Sequence, residues 1–293
     1  MTWIRENTNR ASRFYVTPFL NRNPIPYFPD PIYNHPIMAA NKILQKMRNA
    51  QPARGVWLGI PSVHSVRLLA RLPLDFMIID MEHAPTSLDN MVAMVAAVGE
   101  AGGPQPVVRL SQSSSENIKS ALDAGAAGII APMVNSGEEA AQVVAWCKLP
   151  PIGSRSFGSS YAGLTWGQTP AENAKASNEQ VMAAVQVENK LALDHLDDIF
   201  STPNLDMVLV GPLDLSLSLG LDFFSGQPSP ILEEALQTIL AAGRKYHVPL
   251  GIYCPNPEVA RKRIAQGFLF VNVIMDTTAL VEGVRQAIKV SEA

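Results

Sequence analysis

The chain has 293 residues, 47% of them hydrophobic and 17% charged, with a formal net charge of −3. That length can bury a large core, as one barrel-sized domain or two ordinary ones. The near-neutral balance and the lack of a Lys/Arg block argue against nucleic acid, and no apolar run of membrane-spanning length is free of charges or turn residues.

Residues 1–15 (MTWIRENTNRASRFY) hold three Arg against one Glu, a faint likeness to a mitochondrial presequence without a secretory apolar core. Residues 24–36 (PIPYFPDPIYNHP) are rich in Pro and aromatics and should run extended. Residues 1–37 are therefore read as an N-terminal arm that packs on the main domain or on a neighbouring subunit. Residues 38–293 form that domain, beginning with a short helix in MAANKILQKMRNA (38–50).

Eight short apolar runs rich in Val and Ile follow: 56–60, 76–82, 106–110, 128–134, 182–188, 206–211, 249–254 and 268–275. Such runs fit strands buried on both faces, as in a parallel sheet. Helical patterns lie between them, with start signals at Ser87 and Ser136 and left-handed stop signals at Gly125 and Gly267. Eight strands alternating with helices predict an α/β fold, a (β/α)8 TIM barrel. A doubly wound sheet is less favoured, because GIPSVHS after the first strand is no GxGxxG fingerprint. The longest irregular stretch, 150–175, is rich in Gly, Ser, Tyr and Trp and reads as a functional loop or lid. Residues 277–293 read as a closing helix. Cys147 and Cys254 are too few for a disulfide framework or a zinc ribbon, and Cys254 reads as a small buried hydrophobe. A reducing, cytoplasmic setting is expected, with a mitochondrial one the alternative.

In a TIM barrel the active site lies at the C-terminal ends of the strands. There the second run offers Asp80, Glu82 and His83, the third Arg109, the fifth Gln186 and Glu188, and the sixth Pro212, Leu213 and Asp214. Glu188 and Asp214 interrupt apolar runs where a charge is costly unless it is paired or bound to a cation. Two carboxylates on neighbouring strands suit a hard divalent ion, Mg2+ first, with Mn2+ or Co2+ as alternatives. Arg109 could stabilise an enolate or bind a carboxylate, His83 could move a proton, and Asp80 could orient the imidazole.

Plainer roles compete. Glu188 and Asp214 could pair with an Arg or cap a helix, and Arg109 could be a structural counter-ion of Asp80 or Glu82. His83 could be a satisfied polar group at a strand end. Arg155 could bind a substrate carboxylate or its own loop's carbonyls, and Tyr161 and Trp166 could be lid residues or packing. No strand run contains Lys, which disfavours an imine mechanism.

The segments WLGIPS, DFMIIDMEHAP, QPVVRL, APMV, PPIGSRSFGSS, VQVEN, GPLDLSLSLG and MDTTAL resemble the HpcH/HpaI family of metal-dependent 2-oxo-acid aldolases over residues 55–285. The resemblance implies a barrel whose last helix is exchanged between subunits in a homo-oligomer, a trimer or hexamer. It implies a divalent metal on Glu188 and Asp214, enolate stabilisation by Arg109, and proton transfer by His83 with Asp80. It also implies Gln186 near the metal, and a pyruvyl carboxylate held by backbone near Pro212 and Leu213. Partners would be a small 2-oxo acid and an aldehyde or other acceptor, the acceptor pocket coming partly from the loop that carries Arg155, Tyr161 and Trp166 and from neighbouring subunits. Many aldolases of the family have Arg-Gly in that loop, where this chain has Arg155-Ser156. The expected activity is cleavage or formation of 4-hydroxy-2-oxo acids through a pyruvate enolate. The alternatives are oxaloacetate decarboxylation coupled to C–C bond formation, or a non-catalytic barrel that serves binding or scaffolding.

Overall fold

Eight parallel strands close on themselves in chain order: β1 (Ala53–Leu58), β2 (Phe76–Asp80), β3 (Gln105–Arg109), β4 (Gly128–Ala131), β5 (Met182–Val187), β6 (Met207–Val210), β7 (Leu250–Ile252) and β8 (Phe270–Met275). The computed structural model describes residues 40–222 and 229–292, so the 1–37 arm lies outside the described residues. The first strand starts at Ala53, earlier than its apolar run, because Ala53 and Arg54 pair with Phe270 and Val271 of β8 to shut the barrel.

The strand period of two sorts side chains between two cores. Trp57, Phe76, Ile78, Val107, Ile130, Ala184, Leu209 and Phe270 face the barrel interior. The residues between them, such as Val56, Met77, Ile79, Val108, Val185 and Val210, face the helices. Phe76 and Phe270 stack with centroids 3.7 Å apart across the interior. Helix α1 (Lys42–Arg48) adds Ile43, Leu44 and Met47 to the interior core. It is tied to the N-terminal ends of the strands by Asn41 Nδ2, which donates to Ala127 O at 3.0 Å, and by Gln105 Oε1, which accepts from the Ile43 N–H at 3.1 Å. One mouth of the barrel is thereby plugged and the other left for chemistry.

The outer layer contains α2 (Val63–Leu69), α3 (Leu88–Glu100), α4 (Ser115–Asp123), α5 (Gly137–Cys147), α6 (Ala162–Trp166), α7 (Pro170–Gln180), α8 (Lys190–Asp194), α9 (Leu196–Phe200), α10 (Pro212–Ser218), α11 (Pro230–Tyr246), α12 (Pro257–Gln266) and α13 (Asp276–Ser291). Ser87 and Ser136 cap α3 and α5 through their side-chain oxygens, and Gly125 and Gly267 take φ of +99° and +110° after α4 and α12, as the sequence predicts. Along α13, Leu280, Val284 and Ile288 stay more than half exposed.

The stretch 150–175 is not a lid over this chain's own site. It contains α6 and the start of α7, and it leads from α5 into β5, so it lies at the N-terminal end of the barrel, opposite the catalytic mouth. Trp166 is buried there against Ala127, and Thr165 fills the space beside Gly99 and Gly125.

Candidate active site

Strand parity decides which polar residues meet. Asp80, Arg109 and Gln186 share the inward parity of Ile78, Val107 and Ala184, and Glu188 and Gly211 continue it just past β5 and β6. A cavity of about 220 Å³ opens at this end, lined by Trp57, Asp80, His83, Arg109, Gln186, Leu209, Gly211, Pro212, Leu213, Asp214, Tyr253 and Met275.

Asp80 and Arg109 are register partners on β2 and β3. Arg109 Nε and Nη2 donate to the two Asp80 oxygens at 2.9 and 2.5 Å, a bidentate pair. Trp57 Nε1 donates to the same carboxylate at 3.1 Å, and the guanidinium lies 4.6 Å from the Trp57 ring centroid. Backbone N–H groups of Glu82 and His83 also reach Asp80 Oδ1. Burial acts to raise the Asp80 pKa, but these donors, Arg109 first, together hold it below the ordinary value.

This arrangement separates Asp80 from the imidazole of His83. The expected Asp80–His83 pair gives way to Asp80–Arg109, because the chain leaves β2 at Asp80 and carries the His83 ring toward the mouth. There the ring is 63% exposed, with Nε2 3.9 Å from Glu82 Oε2. Arg109 keeps Nη1 3.0 Å from Glu82 Oε2. Arg109 is thus the counter-ion of both acids, and it still lines the cavity.

Glu188 sits one residue beyond β5 and is 2% exposed. Its Oε1 accepts from the Met133 N–H at 2.8 Å, and its Oε2 accepts from Gln186 Nε2. Burial pushes its carboxyl up to about 7, and the charges of Glu82 and Asp214 add to the rise. Gly211 makes room for it: a Cβ there would lie 2.5 Å from Glu188 Oε2. Asp214 lies in the first turn of α10, half-buried on the same cavity.

These groups fit a hard divalent cation. The donors are oxygens, the carboxylates repel one another until a cation joins them, and Gln186 Oε1 is buried without a hydrogen-bond partner. No three His, Cys, Asp or Glu side chains that could hold a metal ion converge among the described residues, so a cation held here would also need water or substrate oxygens.

The mouth therefore gathers His83, Asp80, Arg109, Glu188, Asp214, Gln186, Pro212 and Leu213, and it leaves out Arg155, Tyr161 and Trp166. Arg155 is 8% exposed and donates through Nη2 to Ser177, while Tyr161 is 70% exposed. Trp57, Leu209, Tyr253 and Met275 join the site without a charge to announce them. Trp57 and Tyr253 meet edge to face at 5.4 Å, and the parity of their strands is the signal that locates them. Cys147 and Cys254 are buried thiols that burial pushes up to about 12, which disfavours the reactive thiolate at both.

A closed parallel barrel plugged at one end, with Asp80, Arg109, Gln186 and Glu188 buried at the other, is the scaffold of an enzyme for small molecules. The model of the HpcH/HpaI aldolase/citrate lyase family matches residues 54–283. The 2-keto-3-deoxy-L-rhamnonate aldolase of Salmonella gallinarum is 35% identical over 248 residues, 84% of this chain and 91% of that enzyme. Among solved structures, an HpcH/HpaI aldolase/citrate lyase family protein from Burkholderia cenocepacia J2315 is 31% identical with a TM-score of 0.79, covering 86% of this chain and all (100%) of that one. Macrophomate synthase is 27% identical with a TM-score of 0.75, covering 86% of this chain and 89% of its own. The chain belongs to the HpcH/HpaI aldolase/citrate lyase family, and it is a carbon–carbon lyase of that metal-dependent class. No helix of the described residues is long and apolar enough to cross a membrane.

Proposed function

We propose that the protein cleaves or forms 4-hydroxy-2-oxo acids, interconverting them with pyruvate and an aldehyde through a pyruvate enolate. Glu188 and Asp214 would hold a divalent cation, Mg2+ first, which when bound supplies Lewis-acid polarisation of the keto oxygen. Substrate enters the cavity between Arg109 and the first turn of α10. Pro212 has no N–H, so the donors for the substrate carboxylate at that turn are the amides of Leu213 and Asp214. Arg109, fixed by Asp80 and stacked on Trp57, offers its charge to the enolate oxygen as the C3–C4 bond breaks. His83, at the mouth, takes the proton of the C4 hydroxyl. A proton returned to C3 of the enolate completes pyruvate. Trp57, Leu209, Tyr253 and Met275 form the wall against the acceptor carbons.

The observation that carries this reading is Glu188, a carboxyl only 2% exposed and raised by burial, held by the Met133 N–H and Gln186 Nε2 and close enough to Glu82 and Asp214 for their charges to push it up further. The name of the Salmonella relative points to 2-keto-3-deoxy sugar acids as the first substrates to try. The apolar acceptor wall favours a second reading of the same site, in which oxaloacetate loses CO2 to give the enolate, which attacks a bulkier acceptor. Pyruvate release from a 2-keto-3-deoxy acid and from oxaloacetate, each with Mg2+, ranks the two. Faster turnover of oxaloacetate with no aldehyde formed from the sugar acid would favour the second.

A further inference from the structure

Met133, between β4 and α5, is the non-glycine residue beside the site whose backbone is left-handed, with φ of 55°. Its side chain is half exposed, so packing of that side chain does not explain the conformation. What the turn achieves is an N–H aimed at Glu188 Oε1, at 2.8 Å, while the next N–H, of Val134, bonds Gln186 O at 3.1 Å. A non-glycine residue holds this conformation only where its surroundings over-determine it. Here the restraint is Asn135. Its Nδ2 donates to the Met133 carbonyl at 2.8 Å, its Oδ1 accepts from Asn189 Nδ2 at 2.5 Å, and its own N–H donates to Glu139 Oε2 at 2.7 Å. Asn189 is the residue after Glu188 and also caps α8, accepting from the Ala192 N–H at 2.9 Å.

We propose that Asn135 is a positioning residue for the cation site: by bonding the Met133 carbonyl it fixes the left-handed turn whose N–H meets Glu188, and by bonding Asn189 it holds the backbone that follows Glu188, so that the carboxylate keeps its orientation. The inference rests on the reading of Glu188 as a cation ligand. Outer-shell partners of metal ligands typically contribute about 10- to 100-fold in affinity.

Mn2+ binding to the chelator-treated full-length protein, measured by calorimetry, tests it on Asn135→Ala and Asn189→Ser. The serine keeps an N-cap for α8 but has no amide to reach Asn135. Each variant should weaken Mn2+ binding about 10-fold, with little change in the melting temperature of the metal-free protein. The Mn2+ concentration for half-maximal activity should rise in parallel, and saturating Mn2+ should restore most of kcat. Affinity within about two-fold of the parent in both variants, while Glu188→Gln abolishes binding, would overturn the role of Asn135 and leave the cation reading intact. Unchanged Mn2+ binding in Glu188→Gln would remove the cation reading, and this inference with it.

Discussion

Asp80 grips Arg109 with both carboxylate oxygens, at 2.9 and 2.5 Å, and does not touch the ring of His83. The two residues are direct register partners, so the barrel itself builds the pair. Asp80 should therefore act through Arg109. Asp80→Asn should lower kcat/KM by about 100-fold or more and, by leaving a buried guanidinium half-paired, destabilise the protein by about 3 kcal/mol. A double-mutant cycle on kcat/KM separates the routes: Asp80→Asn should be strongly non-additive with Arg109→Lys and close to additive with His83→Asn. The reverse pattern would restore an Asp80–His83 pair.

Glu188 gives the metal-free protein a pH dependence of definite sign. Its carboxyl titrates at about 7 in the folded chain, against 4.5 as its ordinary value. Within that window the folded protein keeps a proton that the unfolded chain has lost, so this contribution to stability is complete below the window and is lost as pH rises through it. The melting temperature of chelator-treated protein should fall by several degrees relative to Glu188→Gln between about pH 5 and about pH 8. Divalent-cation affinity should run the other way, rising with pH and levelling off above about 7, because the ligand must shed its proton.

Gly211 tests the geometry of the ligand without touching its charge. Its φ of −92° is open to any residue, so Gly211→Ala adds no backbone strain. The new methyl carbon would nonetheless lie 2.5 Å from Glu188 Oε2 and 2.9 Å from Glu188 Cβ. Calorimetry should show cation affinity reduced about 10-fold or more, with the barrel still folded by circular dichroism.

The Trp57–Tyr253 wall should set the acceptor and leave the pyruvate end alone. In the synthetic direction Tyr253→Ala should raise KM for the aldehyde about 10-fold while KM for pyruvate stays within about two-fold, as expected when buried aromatic contact is lost at one end of a pocket. Equal rises in both would move Tyr253 away from the acceptor side.

The barrel was legible because its strands are short, mostly apolar runs, with helix ends between some of them marked by Ser87, Ser136, Gly125 and Gly267, and those signals are local. Glu188 stood out because a charge in an apolar run is costly wherever the run folds, and it is buried just past β5; Asp214, expected at the end of the sixth strand, lies instead half-buried in the first turn of α10. The pairing of Asp80 was not. The spacing from Asp80 to His83 suggests neighbours, but Arg109 becomes adjacent only through strand register, which joins residues 29 apart in sequence. Arg155, Tyr161 and Trp166 were drawn toward the site by their chemistry. The order helix, loop, strand places them at the opposite end of their own barrel, where Arg155 bonds Ser177 and Trp166 packs on Ala127. Trp57 and Tyr253 carry no charge, and only the inward parity of β1 and β7 identifies them.

The most direct test is pyruvate release from a 4-hydroxy-2-oxo acid by chelator-treated protein, titrated with Mg2+ beside Glu188→Gln and Asp214→Asn. Turnover should be absent without cation, recover saturably in the parent, and fall by at least about 1,000-fold in both variants. Turnover that survives EDTA and persists in Glu188→Gln would contradict the cation reading.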